Sequence, residues 1–161
     1  MLQTGGKMMG RCNMKIREFH IEDYDAVYSL WRRTPGMGLN DVDDSREGID
    51  KYLKRNPHTC FVADAEDERG IVGVIMSGHD GRRGFIHHTC VAGEMRHNGI
   101  GTRLVDAALE ALSAEGISKV VLVVFGRNEG GNAFWERLGF TTRPDLNYRN
   151  KALVALGRID T

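Results

Sequence analysis

The sequence carries little that could staple it, span a membrane or grip a polyanion. Only three cysteines occur in its 161 residues, Cys12, Cys60 and Cys90, an odd number with no C-x-x-C spacing. That excludes a disulfide framework and points to reduced thiols in a cytoplasmic protein. No apolar run approaches the ~18 residues that a bilayer span requires, so no membrane partner is expected. Neither charge is in excess, with 22 Lys and Arg against 22 Asp and Glu. A nucleic-acid or anionic-membrane partner would need a basic surplus, so neither is expected. Residues 1–13 lack an apolar stretch of signal-peptide type and are read as a loose or tag-like extension. No G-x-x-x-x-G-K-[ST] occurs, and no acidic residue closes the apolar run at 120–125. Both absences weaken a nucleotide-binding reading.

What is present suits one globular domain over 14–161: 41% hydrophobic and 27% charged residues, enough to bury a core. Residues 14–19 alternate apolar and polar, as a half-buried strand does. Asp23 is expected to cap a helix with Tyr24, Val27, Tyr28 and Trp31 on one stripe, ending before Pro35. An acidic loop follows, and Ser45 is expected to cap a second helix through Ile49, Tyr52 and Leu53. Strands are expected at 59–65, 70–78 and 85–91, joined by hairpin-length links, one of them marked by Asp80-Gly81. A long helix over 99–115 should bury Ile100, Leu104, Ala108, Ala111 and Leu112. The run at 120–125 reads as a strand buried on both faces, followed by a short helix with Phe134, Trp135 and Leu138. Weaker strands near 140–142 and 151–156 close the pattern, which is an α/β domain with a mixed sheet.

The stretch that carries chemistry is R-H-N-G-I-G at 96–101, between a strand end and a helix. The first amides of a helix have no internal partner, and the helix dipole places positive charge there. Glycines let an anion approach the backbone, and Arg96 adds a charged donor. The same glycines could instead serve only a tight strand-to-helix turn.

This hexapeptide resembles the Q/R-x-x-G-x-G/A phosphate-binding signature of the GNAT superfamily of acetyl-CoA-dependent N-acetyltransferases. N-E-G-G-N-A-F-W-E-R-L-G-F at 128–140 is similar to that family's second block, with Asn128, Arg137, Gly139 and Phe140 on matching positions. The resemblance covers nearly the whole chain from Met14. It implies the GNAT fold: a mixed, mostly antiparallel central sheet, about four helices, and fourth and fifth strands that splay apart. It implies acetyl transfer from acetyl-CoA, with no metal, to a primary amine on a small molecule or a peptide N-terminus, by direct attack in a ternary complex. A homodimer is also compatible with it. The Asp80-Gly81 hairpin and the Glu-Arg-Leu-Gly-Phe ending resemble a compact bacterial subgroup.

Residue by residue, the resemblance implies that the amides of Arg96, His97, Asn98, Gly99, Ile100, Gly101 and Thr102 hold the pyrophosphate. Cys90 and Val91 would give main-chain contacts to pantetheine, the Val91 N–H facing the thioester oxygen. A comparable oxyanion donor is worth about 3 kcal/mol. Asn128 would touch the cofactor near its reactive end, or cap the following helix. Where many members carry an acidic tyrosine this chain has Trp135, whose indole is no useful acid and which would line the pocket or fill core. Tyr148 could replace it. His87 holds a position where certain members keep their base, and Glu94 is the second candidate.

Strict alternation puts Phe85, His87, Thr89 and Val91 on one strand face and Ile86, His88 and Cys90 on the other. His88 and Cys90 could pair on a metal, but no third ligand is evident. The acidic loop Asp41, Asp43 and Asp44 is read as solvated, or as favouring a cationic acceptor. The absent tyrosine leaves a second reading, a non-catalytic acyl-CoA-binding module.

Overall fold

A computed structural model describes residues 14–159; the expected extension over 1–13, with Cys12, lies outside the described residues. The elements are β1 (Lys15–Glu18), α1 (Tyr24–Arg32), β2 (Leu39–Asn40), α2 (Arg46–Arg55), β3 (Phe61–Asp64), β4 (Ile71–His79) and β5 (Gly84–Val91). They continue with α3 (Ile100–Ala114), β6 (Val120–Leu122), α4 (Glu129–Arg137) and β7 (Arg158–Ile159), with 3-10 turns at Ile21–Asp23 and Gly93–Met95. The strands expected fourth and fifth are therefore β5 and β6, because the two-residue β2 precedes them. The main sheet runs β1-β3-β4-β5-β6. Its pairs are antiparallel except β5 with β6, which is parallel. This is the mixed, mostly antiparallel sheet with four helices that the sequence implied.

Helix α3 covers one face of the sheet and buries Ile100, Leu104, Val105, Ala108 and Leu112. It packs so closely on β4 that a Cβ on Gly73 would come within 3.0 Å of Leu104. Helices α1 and α2 cover the other face. Val27, Leu30 and Trp31 of α1 are fully buried, and Ile49 of α2 nearly so. Ser45 caps α2 as expected, its Oγ accepting the Gly48 amide at 3.0 Å. Asp23 does not cap α1. Its carboxylate accepts two bonds from the Arg17 guanidinium at 2.8 Å and the His20 amide at 3.0 Å. Arg17 also reaches Asp64, tying β1 to the entry of α1. The Asp80-Gly81 turn forms as expected, with Asp80 Oδ1 accepting the Arg82 and Arg83 amides.

Two strand expectations are corrected. The run at 120–125 is a strand only at Val120–Leu122, and it is not buried on both faces: Val123 is 58% and Phe125 44% exposed. It is an edge strand, so its outer side has no neighbour to bury it. No strand forms at 140–142 or 151–156, where Leu153 is 91% exposed. Arg143 and Asp145 close a turn around Pro144, and Leu146 N–H bonds to Arg143 O. A residue lacking an amide proton cannot serve a ladder, which breaks the approach of this segment to β6. The chain instead returns to β2, pairing Ile159 with Leu39 and Arg158 with Asn40.

Leu104 is fully buried at the centre of α3 and touches the sheet at its narrowest gap. Leu104→Ala is expected to lower the unfolding free energy by about 2–5 kcal/mol, measured by denaturant titration.

Candidate active site

The site is built on β5. One edge pairs with β4, and Ala92 N–H continues that pairing to Val72 O at 2.8 Å. The other edge meets β6 only at Gly84, Phe85 and Ile86. From His87 onward that edge is released, which is the splay expected between these two strands. Successive amides on an extended strand point to opposite edges. Since Ala92 N–H goes to β4, Val91 N–H points to the released side.

The turn after β5 has two left-handed residues, His97 at φ 63° and Gly99 at φ 74°. Asn98 Nδ2 braces it by donating to Met95 O and Arg96 O at 3.1 and 3.0 Å. Gly99 is the N-cap of α3 and supplies no side-chain cap, so the amides of Ile100, Gly101 and Thr102 have no helical acceptor. A Cβ on Gly99 would meet nothing within 4 Å, whereas one on Gly101 would come within 3.2 Å of the Phe134 ring. The two glycines therefore differ in role. Gly99 keeps open a concavity lined by amides, of the kind that fits a diphosphate, and Gly101 lets α3 and α4 close together. Arg96 Nε donates to Val91 O at 3.2 Å. Arg96 also lines a cleft of about 280 Å³ with Glu94, Gly93, Ala92 and, from the end of α1, Arg33 and Thr34.

The expected alternation of faces along β5 fails. Met76 of β4 pairs with His87 and Val74 with Cys90, so two β5 residues, His88 and Thr89, oppose the single Ile75. This bulge turns His88 to the same side as His87. The His87 ring stacks on Phe85 at 4.5 Å and stands edge-on to Tyr52 of α2 at 5.6 Å. The His88 ring stands edge-on to Trp31 of α1 at 5.1 Å. Its Nε2 lies 2.6 Å from Asp44 Oδ1. Asp44 is therefore no solvated residue: it is 3% exposed, and its Oδ2 accepts the Asn40 amide at 2.7 Å. No local pattern marks this contact, which spans 44 positions.

The remaining candidates are placed as follows. Asn128 caps α4, its Oδ1 accepting the Gly131 amide at 2.9 Å. Trp135 is half-buried, edge-on to Phe134 and Phe140 at 5.0 and 5.1 Å. Tyr148 is 69% exposed in the segment after α4. Glu94 is exposed on the 3-10 turn. Burial pushes the Cys60 and Cys90 thiols up to about 12. Among the described residues, no group of three or more His, Cys, Asp and Glu converges as metal ligands do, and no helix is long and apolar enough to cross a membrane.

A released strand edge beside an open, amide-lined helix start is a framework for holding an acyl thioester with its diphosphate. The model of the acetyltransferase (GNAT) family matches residues 24–140. The chain belongs to that family. This GNAT acetyltransferase is 30% identical over 141 residues to the acetyltransferase SG1711 of Sodalis glossinidius, covering 88% of this chain and 96% of that protein. It is 33% identical over 129 residues to the acetyltransferase ECA0875 of Pectobacterium atrosepticum, covering 80% and 89%. Its fold is shared with the PaiA N-acetyltransferase of Thermoplasma acidophilum, solved in complex with coenzyme A. The TM-score is 0.70 at 19% identity, over 81% of this chain and 91% of that one.

In this acetyltransferase, desolvation lowers the His87 pKa below its ordinary 6.5, and the neighbouring His88 adds to the shift against the opposing pull of Asp44 and Asp43. Tyr52 is the titratable group facing His87 from α2. A histidine with a lower pKa folded than unfolded destabilises the fold on acidification, because below 6.5 the unfolded chain binds more protons. His87 is nonetheless exposed on β5, so solvent screening weakens the effect, and the melting temperature of His87→Gln is expected to gain only slightly on that of the wild type as pH falls through 6.5. Calorimetric scans across that range measure the difference.

Proposed function

We propose that this enzyme transfers the acetyl group of acetyl-CoA to a primary amine, on a small molecule or a peptide N-terminus, by direct attack with both substrates bound. The observation that carries this reading is the pairing of acceptor-less amides at the start of α3 with the released edge of β5. The amides of residues 96–102 would hold the diphosphate, and Cys90 and Val91 would hold the pantetheine arm through the main chain. Acetyl-CoA supplies an activated acyl group whose leaving thiolate is a tolerable one near neutral pH. Val91 N–H, turned to the released side, would donate to the thioester oxygen as negative charge builds there.

Direct attack fits the thiols. With pKa values near 12, Cys60 and Cys90 stay protonated at neutral pH and are poor nucleophiles for an acyl-enzyme. Trp135, packed between Phe134 and Phe140, would form a wall of the acyl or pantetheine pocket. It cannot protonate a thiolate, so solvent would do so. Asn128, besides capping α4, would lie near the reactive end of the cofactor. The attacking amine must be neutral, which calls for a proton acceptor among His87, His88 and Glu94. Trp135 in place of a tyrosine is the feature that favours a non-catalytic acyl-CoA-binding module. The named activity of both relatives weighs against that alternative.

Gly99→Leu separates cradle from scaffold. The new side chain would enter open space, so the fold should survive at a cost of about 1–2 kcal/mol for the left-handed backbone. Coenzyme A binding, measured by titration calorimetry, should be lost. Retained affinity would remove the cradle from the site.

A further inference from the structure

We propose that His88, oriented by Asp44, is the group that takes the proton from the acceptor amine; this rests on the acetyl-transfer reading above. A carboxylate only accepts hydrogen bonds, so the 2.6 Å contact to Asp44 Oδ1 makes Nε2 the protonated nitrogen of a neutral His88. Nδ1 then carries the lone pair, and it bonds to no group among the described residues. Asp44 is itself held from three directions. Its Oδ2 accepts the Asn40 amide, its carbonyl accepts the Tyr24 hydroxyl at 2.7 Å, and its side chain is 4% exposed. Among the described residues it has no Lys or Arg within ion-pair distance. An imidazolium formed at His88 would be its counter-ion.

Position favours His88 over the other candidates. It lies on the bulge, in the part of β5 that β6 has left, and on the side covered by α1 and α2. Its side chain is 19% exposed, reachable from solvent yet fixed. Among the described residues, His87, stacked on Phe85 and edge-on to Tyr52, has no carboxylate to orient it, and Glu94 has no hydrogen-bond partner. The Trp31 ring that stands edge-on to His88 has its Nε1 buried and without a hydrogen-bond partner among the described residues. A buried donor without a partner marks a place where a water or a polar substrate group belongs.

The substrate ammonium gives one proton to His88 Nδ1, and the freed lone pair forms the N–C bond to the acetyl carbon. The C–S bond breaks with its electron pair going to sulfur. The nitrogen's second proton leaves as the amide forms and neutralises the thiolate through solvent. His88 returns its proton to solvent, so each turnover releases one. Asp44 touches no substrate and is a positioning residue. The titratable groups around His88 are His87 and Cys90 on β5, Asp43 and Asp44 on the loop, Tyr24 on α1 and Tyr52 on α2.

The test measures thiol release from acetyl-CoA across pH with a diamine, an aminosugar and a short peptide bearing a free α-amine. His88→Gln keeps an N–H for Asp44 but accepts no proton. It should bind coenzyme A as the wild type does, lose roughly 10²–10⁴ in kcat/KM near neutral pH, and lose the acidic limb of the pH profile. Added imidazole should partly restore His88→Ala. Asp44→Asn should bind coenzyme A as the wild type does and lower kcat with little change in KM, as the loss of a positioning residue does. A His88→Gln enzyme within about threefold of wild type with an unchanged limb would overturn the assignment and leave acetyl transfer standing. A wild type that binds coenzyme A but acetylates none of the amines would overturn the acetyl-transfer reading and this role with it.

Discussion

A strand inside a sheet normally has both edges paired, because a buried amide or carbonyl without a partner costs about 1–3 kcal/mol. β5 departs from that rule halfway along its length. It holds β4 as far as Ala92, while β6 leaves it after Ile86. The strand stays in place because its β4 edge is paired through Ala92 and its side chains Ile86 and Cys90 are buried. The freed edge is then available to a ligand without any rearrangement. The helix start at Gly99 and the bulge at His88 lie along or directly after this half-released strand.

Two kinds of surface flank β5. At its end the backbone is presented, through amides and a helix dipole, and side chains matter chiefly by their absence at Gly99. On the α1 and α2 side, side chains are presented, with two imidazoles, a buried carboxylate and aromatic rings. The bulge separates these regimes. One extra residue in β5 re-aims His88 and shifts the register by one, after which the pairing with β4 resumes through Cys90 and Val91.

Much of the scaffold was legible from residue pattern alone. α3 was marked by an unbroken apolar stripe and ended by Gly116, and the Ser45 cap and the Asp80-Gly81 turn followed from local chemistry that needs no tertiary partner. The open helix start at Gly99 was legible for the same reason, since it depends on helix-end amides and a glycine. Contacts between distant segments were not. No glycine or proline announces the bulge at His88, and nothing near Asp44 indicates a partner 44 residues away. The apolar residues of 120–125 read as a buried strand, and those of 151–156 as a weaker one, because hydrophobicity records a tendency to be covered, not which neighbour does the covering. Arg17 and Asp23 show the converse. A residue well suited to capping was taken by a stronger, charge-assisted partner.

The last residues of the described chain are fastened to the loop that carries Asp44. Gly157 N–H donates to Asp41 Oδ1 at 2.6 Å, Asp41 N–H donates to Gly157 O at 3.0 Å, and β7 pairs with β2 beside them. Asp44 thus sits three residues from an anchor supplied by a segment 116 positions beyond Asp41. Whatever displaces that segment displaces the loop as well, so the aim of the buried carboxylate depends on chain that lies far from it in sequence.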